Sequence, residues 1–159
     1  MNKKESKKPT VNTLPYQADY WVGPDGKHIH SHSDLPENCT DIVYLLQFES
    51  GRKYVGKKTV RSIRKKKPTK AQIAIRKNYS RKELTNLPFI KYTGSSKENE
   101  NETIIAKYIL YYCSNKRTAT YLEMAELVIR ETLFTDEYTN KNISGRFYDN
   151  SLDGLIDKS

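Results

Sequence analysis

The sequence predicts an α+β fold, in which a small antiparallel sheet of about three strands is flanked by helices. Three observations support this prediction. Short runs rich in β-branched and aromatic residues, bounded by turn residues, indicate strands at 41–48 and 103–113. The clearest helical spacing of apolar residues occurs at 118–134. Strands and helices do not alternate regularly, as they do in parallel α/β proteins.

The segment 41–59 reads DIVYLLQFESGRKYVGKKT and predicts a β-hairpin. Its first eight residues form a strand, Glu-Ser-Gly makes the turn, and RKYVG is the antiparallel partner. Pairing of these strands would place Tyr44 and Tyr54 at neighbouring positions on one face. Gly56 would let another group approach the backbone closely, and we expect that group to be a phosphate.

Two helices are predicted on the C-terminal side of this hairpin. Residues 69–84 are expected to form one, with Pro68 before it and Thr69 as its N-cap. The helix at 118–134 is expected to begin at a threonine, Thr118 or Thr120. Its predicted buried stripe consists of Leu122, Ala125, Ile129 and Leu133.

Four segments divide the chain. Residues 1–16 are polar and lysine-rich, which is typical of a disordered basic tail. Residues 17–40 form an N-terminal extension, in which Pro-Asp-Gly predicts the turn of a small hairpin. Residues 41–148 form the main domain, and residues 149–159 are a C-terminal tail.

The positive charge is concentrated in one part of the chain. The net charge is +9, from 28 Lys and Arg against 19 Asp and Glu. Fifteen of these bases lie between Arg52 and Lys91, where Glu83 is the only acid. This imbalance indicates a polyanionic partner. We expect the basic run at 61–67 to contact phosphates without reading sequence.

Cysteine and histidine give weaker signals. Two cysteines do not make a disulfide framework, and neither a signal peptide nor an apolar run of 18 residues is present, so we expect a soluble, intracellular protein. His28, His30 and His32 alternate and precede Cys39, a pattern compatible with a metal site. An exposed hairpin edge explains the same composition and is the favoured interpretation.

Several motifs together resemble the GIY-YIG endonuclease family. IVY at 42–44 and YVG at 54–56, with tyrosines ten residues apart, are similar to the two halves of its motif. KYTGSSK at 91–97 resembles a segment of small phage-type members. A glutamate in TYLEMAEL and an asparagine in NKNISGRF follow in the expected order, so the resemblance covers residues 41–148. The chain departs from the family at Ile42, where glycine is common, and in the acidic stretch after residue 97.

The resemblance implies a DNA endonuclease of the cytoplasm, or of the host cytoplasm if phage-encoded. It implies Tyr44 and Tyr54 around the attacking water and Glu123 on Mg²⁺ or Mn²⁺, with Glu126 as the alternative ligand. Phosphodiester hydrolysis needs such an activated nucleophile and charge stabilisation. A tyrosine could act as the base if its pKa were lowered. Asn142 is preferred to Asn140 as the late asparagine.

The base that holds the scissile phosphate is left open between Lys58, which follows Gly56, and Arg64, ten residues after Tyr54. Further DNA contacts are expected from Gly56, Lys57, Arg61, Lys65, Lys66, Lys67, Lys91, Ser95 and Ser96. A non-catalytic nucleic-acid-binding protein with a degenerate nuclease fold is the alternative, and an RNA-associated basic protein is a third reading. The target site and the oligomeric state, including a possible dimer, are left open.

Overall fold

The structure is a computed structural model, and it describes residues 19–75, 81–92 and 96–156. These residues form strands and helices in a mixed order. The strands are β1 (Trp21–Val22), β2 (His28–Ile29), β3 (Asp41–Phe48), β4 (Lys53–Thr59), β5 (Arg61–Lys66), β6 (Arg81–Asn86), β7 (Ile104–Cys113), β8 (Asn142–Ile143) and β9 (Phe147–Tyr148). The α-helices are α1 (Lys70–Ile75) and α2 (Lys116–Ile129).

The main sheet has five strands in the order β2-β1-β7-β3-β4. The α+β class is confirmed, but the predicted three-stranded sheet is too small. The additional strands come from the hairpin between Trp21 and Ile29, which pairs in parallel with β7 through Val22 and Tyr108. The sequence predicts this hairpin from its turn, but two-residue strands carry no pattern that reveals their partner.

Strand β3 is the centre of the sheet, since it pairs with both β4 and β7 in antiparallel register. A strand buried on both faces needs an almost continuous apolar run. One face carries Tyr44 and Leu46 and packs against the N-terminal hairpin and Phe89. The other face carries Val43 and Leu45 and packs under α2.

Helix α2 is rotated from its predicted orientation. Asn115 caps it, because its Oδ1 accepts the amide of Thr118 at 2.8 Å, and neither predicted threonine is the cap. The buried residues are Ala119 and Leu127, whereas Ile129 of the predicted stripe is 75% exposed. Glu126 explains the rotation, because its carboxylate is turned towards the sheet.

The carboxylate of Glu126 accepts the Tyr111 hydroxyl at 2.6 Å and Arg130 Nε at 2.7 Å. Residues three or four apart share a helix face. Fixing Glu126 over the sheet therefore brings Ala119 and Glu123 to the same side. After Ile129 the helix ends, and Glu131 takes a left-handed conformation with φ 51°.

The prediction of a helix at 69–84 is wrong for residues 81–84. Helix α1 spans only Lys70–Ile75, and residues 81–84 belong to β6. Residues 76–80 of the prediction lie outside the described residues. Strand β6 pairs with β5 to form a separate two-stranded sheet, in which β-branched Ile63 lies opposite Leu84. The pairing partner is some twenty residues away, so the local sequence does not reveal that residues 81–86 form a strand.

The outer edge of β4 is covered by residues 137–140. Lys53 donates its amide to Glu137 and accepts the amide of Thr139, both at 2.8 Å. This segment thus runs alongside β4 and satisfies backbone groups that an open edge would expose. The predicted tail at 1–16 lies outside the described residues.

No helix in the described ranges has the length and apolarity needed to cross a membrane. The two cysteines, Cys39 and Cys113, are free and buried.

Candidate active site

The two tyrosines of the hairpin lie on one face, as predicted. Tyr44 is in register with Gly56, and Tyr54 with Leu46, so the two rings are diagonal neighbours across β3 and β4. Their centroids are 6.3 Å apart. Tyr44 is buried in the core, whereas Tyr54 on the edge strand remains partly exposed.

Gly56 makes room for the Tyr44 ring and not for a phosphate. Gly56 is buried, and a Cβ there would lie 2.5 Å from Tyr44 Oη and 2.9 Å from Tyr54 Cε1. The space that was expected to receive a DNA phosphate is therefore filled by a phenol. Glycine is required because the side chains of both tyrosines occupy the space where a Cβ would lie.

Replacing Gly56 with alanine is expected to displace the Tyr44 phenol. Overpacking of a filled core costs about 1–3 kcal/mol, and we expect the free energy of unfolding to fall by that amount. Urea denaturation measures it. As a control, a Cβ added at Gly154 would meet nothing within 4 Å, so Gly154→Ala should leave the denaturation midpoint unchanged. Equal midpoints for the two variants would contradict the proposed packing.

Tyr92 completes a cluster of three phenols that was not predicted from the sequence. Its ring lies edge-on to Tyr44 with centroids 5.9 Å apart, and its hydroxyl hydrogen-bonds with Tyr44. Lys58 Nζ lies 4.3 Å from the Tyr92 ring centroid, a cation–π distance. Lys58 is thus held beside the tyrosines. The position of Tyr92 in the KYTGSSK segment was the available signal.

The environment raises the pKa of both hairpin tyrosines. Burial raises the pKa of Tyr44 well above its usual value, and the neighbouring phenols and the Glu123 charge add to this. Burial and then the Glu123 charge raise the pKa of Tyr54 to about 12. Both phenols are therefore protonated at neutral pH, and the lowered pKa expected of a general base is not a property of this environment.

Glu123 and Glu126 have different surroundings. Glu126 is already occupied by Tyr111 and Arg130, and these hydrogen bonds and the Arg130 charge hold its pKa below the usual value against the effect of burial. Burial raises the pKa of Glu123, and the positive charge of Lys57 opposes that shift. Within the described ranges, no hydrogen bond or ion pair occupies the Glu123 carboxylate.

A cleft of about 150 Å³ opens beside this carboxylate. The polar side chains that line it are Tyr54, Ser96, Glu98, Glu123, Asn140, Lys141, Asn142 and Ser144. Ser96 hydrogen-bonds with both Tyr54 and Glu98. Mg²⁺ is commonly held by one or two carboxylates while it keeps several waters, so Glu123 and Glu98 fit such an ion.

Of the two candidate asparagines, Asn140 holds the edge of β4. Its Oδ1 accepts the Val55 amide at 3.0 Å, and its Nδ2 donates to the Val55 carbonyl at 2.9 Å. Asn140 is 7% exposed. The preferred candidate, Asn142, is exposed, and its Oδ1 accepts the amide of Gly145 in a turn.

Replacing Asn140 with alanine is expected to lower the free energy of unfolding by about 2 kcal/mol, because two buried backbone groups lose their partners. Faster hydrogen exchange at the Val55 amide should accompany this loss. Asn142→Ala is the matched control and should change both quantities much less. The role of Asn140 would be refuted if Val55 kept its protection in the alanine variant.

Arg61 is used inside the protein. The residue is 8% exposed, and its guanidinium donates to the carbonyls of His32, Pro36, Glu37 and Cys39 and to Asn86 Oδ1. These bonds hold the 32–39 loop against β5. The phosphate contact expected of Arg61 is therefore not available, because every donor nitrogen of its guanidinium is already engaged.

The other predicted DNA-contacting bases lie in different places. Lys57 donates to Thr120 Oγ1 at 2.6 Å, next to Glu123. Arg64 is on β5, outside the main sheet, and no described contact joins it to the tyrosines. The exposed remainder consists of Lys65, Lys67 and Lys91. Ser95 and the side chain of Lys66 lie outside the described part of the structure.

The histidines do not converge on a metal site. His32 Nε2 lies 2.7 Å from the Leu87 carbonyl and 3.1 Å from that of Val60. His28 and His30 pack against the ring of Tyr20. Across the described ranges, no three His, Cys, Asp or Glu residues are grouped closely enough to hold a metal by themselves.

A comparison with family models finds one that matches residues 25–151, which is most of the chain. Its description is "Putative endonuclease segE, GIY-YIG domain". Comparisons with curated proteins and with solved structures find no significant match.

Proposed function

We propose a function from the premise that this chain belongs to the GIY-YIG endonuclease family. The substrate is DNA, and the reaction is hydrolysis of a phosphodiester bond by water in the presence of Mg²⁺ or Mn²⁺. The half-buried carboxylate of Glu123, which no hydrogen bond or ion pair engages among the described residues, lies in the cleft beside Tyr54 and carries this proposal. Leaving a charge desolvated without a protein partner is costly, and a bound cation offsets that cost.

The two lysines after Gly56 are on opposite faces of β4, since successive strand residues alternate. Lys58 lies over Tyr92 on the tyrosine face, and Lys57 lies near Glu123 on the α2 face. A phosphate at this edge would be attracted by both ammonium groups. Lys58 is our choice for the clamp on the scissile phosphate, because Arg64 is on the separate β5–β6 sheet.

Tyr54 lines the cleft and orients the attacking water through its hydroxyl group, and the buried ring of Tyr44 supports Tyr54 from the core. Because the Tyr54 phenol is protonated, it can donate a hydrogen bond and also accept one. A divalent ion on Glu123 would supply a more acidic water and stabilise charge on the phosphate oxygens. It would also offset the carboxylate charge that raises the pKa of Tyr54, so loss of the phenol proton would become easier.

A plasmid nicking assay tests this proposal. The full chain is incubated with supercoiled DNA and Mg²⁺ or Mn²⁺, and relaxed circles are expected. Addition of EDTA should abolish them. Tyr54→Phe keeps the ring but removes the hydroxyl, and we expect nicking to fall by about 10²-fold, which is typical for loss of one group acting on the transition state.

Binding of DNA by the same protein is measured in parallel by gel shift. A chain that binds DNA and never nicks it with either metal would be a non-catalytic binder, which contradicts the proposal. A nicking rate that is unchanged in Tyr54→Phe would remove Tyr54 from the mechanism.

A further inference from the structure

Strands β5 and β6 form a two-stranded ribbon whose two faces are both open to solvent. They belong to a sheet of their own and contact mainly each other. On one face Ile63 is 51% exposed and Leu84 is 43% exposed. On the other face Arg64 is exposed. The ribbon buries no core of its own, so its sequence serves another purpose.

A β-bulge directs the ribbon away from the main sheet. Val60 is the single residue between β4 and β5, and the amides of Val60 and Arg61 both donate to the Thr40 carbonyl. Two residues opposite one partner bend and twist a strand. Arg61 then fixes the base of the ribbon to the 32–39 loop. The ribbon is thus joined through one residue to the strand that carries Tyr54, and hydrogen bonds anchor its base.

The residues of the two faces differ in chemistry. The register places Ser62 opposite Thr85 and Arg64 opposite Glu83, so these four share one face. Arginine reads guanine through two hydrogen bonds, glutamate accepts from cytosine, and serine and threonine bind either kind of edge group. We call these four residues the polar face of the ribbon.

We propose that the β5–β6 ribbon lies in the major groove of duplex DNA, with its polar face towards the base edges and Arg64 on a guanine. The inference rests on the proposed function, and it assigns to this ribbon the sequence recognition of the enzyme. The major groove is about 12 Å wide and admits a two-stranded ribbon. Six bases and no acid occur between residues 61 and 70, which suits the phosphates that flank the groove.

The continuity of the chain limits where the cut falls. Ten residues separate Tyr54 from Arg64, and an extended strand rises about 3.3 Å per residue, so the two lie within about 33 Å. At about 3.4 Å per base pair this is about ten base pairs. The bases that the ribbon reads should therefore lie within about ten base pairs of the cleaved bond.

The test is a binding selection from random duplexes, with the full-length protein in EDTA so that binding is separated from cleavage. The wild type should enrich a short sequence containing a guanine. Arg64→Ala should lose the preference at that guanine by about 10-fold, and Thr85→Val should alter a neighbouring position. Lys65 lies on the opposite face, and Lys65→Ala should lower the affinity for all duplexes by one common factor. Thermal unfolding checks that each variant is folded.

Two results would overturn the inference. One is a wild type that enriches no sequence. The other is an Arg64→Ala variant whose affinity for every duplex falls by the same factor, as loss of a phosphate contact would cause. The selected duplex is then incubated with Mg²⁺. If it is bound specifically but never nicked, sequence recognition by the ribbon is supported and the endonuclease proposal is contradicted. If plasmid DNA is nicked at sites that share no sequence within about ten base pairs, the endonuclease proposal is supported and sequence recognition by the ribbon is contradicted.

Discussion

Replacement of Glu123 by glutamine is expected to reduce metal-dependent nicking by about 10³-fold. Loss of a group that stabilises the transition state by several kcal/mol corresponds to a factor of this size. Glutamine keeps the size and polarity of the side chain but not the negative charge that would hold a divalent ion. The measurement is the initial nicking rate at saturating Mg²⁺, compared with the wild type in the same preparation.

Glu126→Gln is the matched control, because Glu126 lies three residues away on the same helix face. Its carboxylate is engaged by Tyr111 and Arg130, so its loss should lower the free energy of unfolding by about 1 kcal/mol and leave nicking nearly unchanged. The opposite pattern, an active Glu123→Gln and an inactive Glu126→Gln, would move the metal to Glu126. If both variants nicked DNA as fast as the wild type, neither carboxylate would be needed for the reaction.

Replacement of Arg61 by methionine is expected to lower the free energy of unfolding by about 3–5 kcal/mol. Four carbonyl groups and an amide oxygen accept hydrogen bonds from its guanidinium. Each buried acceptor that loses its partner costs about 1–3 kcal/mol, and the losses are less than additive because the loop relaxes. Urea denaturation of the purified chain measures the effect.

Arg64→Met tests the same substitution on the same strand. Arg64 is exposed and lies three residues further along β5, so the denaturation midpoint should hardly change. DNA binding, in contrast, should weaken in Arg64→Met. If Arg61→Met proved as stable as the wild type and bound DNA poorly, the phosphate contact that the sequence predicts for Arg61 would be supported instead.

The difference between these two arginines shows why the site could be predicted from the sequence only in part. Both lie in one basic run, and its composition favours a polyanionic partner for the run as a whole. Which arginine faces the loop is decided by a bulge at Val60, and a bulge depends on backbone hydrogen bonds to Thr40 that no local pattern encodes. The hairpin of Tyr44 and Tyr54, by contrast, depends on a short turn and on alternation, and both are visible in the sequence.

The orientation of α2 shows a second limit. Apolar periodicity favours a buried Ile129, yet Glu126 is the residue turned to the sheet, because Tyr111 and Arg130 satisfy its charge. A polar partner on a distant strand therefore outweighs the apolar stripe. The motif favours Glu123, and its carboxylate, unlike that of Glu126, has no hydrogen bond or ion pair among the described residues.

The clamp between Asn140 and Val55 also orders the assembly of the protein in time. The two residues are 85 positions apart, and Val55 is made long before Asn140. During synthesis this part of the β4 edge stays open until Asn140 emerges, because the chain is made from its N-terminus. A chain that stopped before Asn140 would leave the backbone groups of Val55, next to Tyr54, without the partner that holds them in the folded protein.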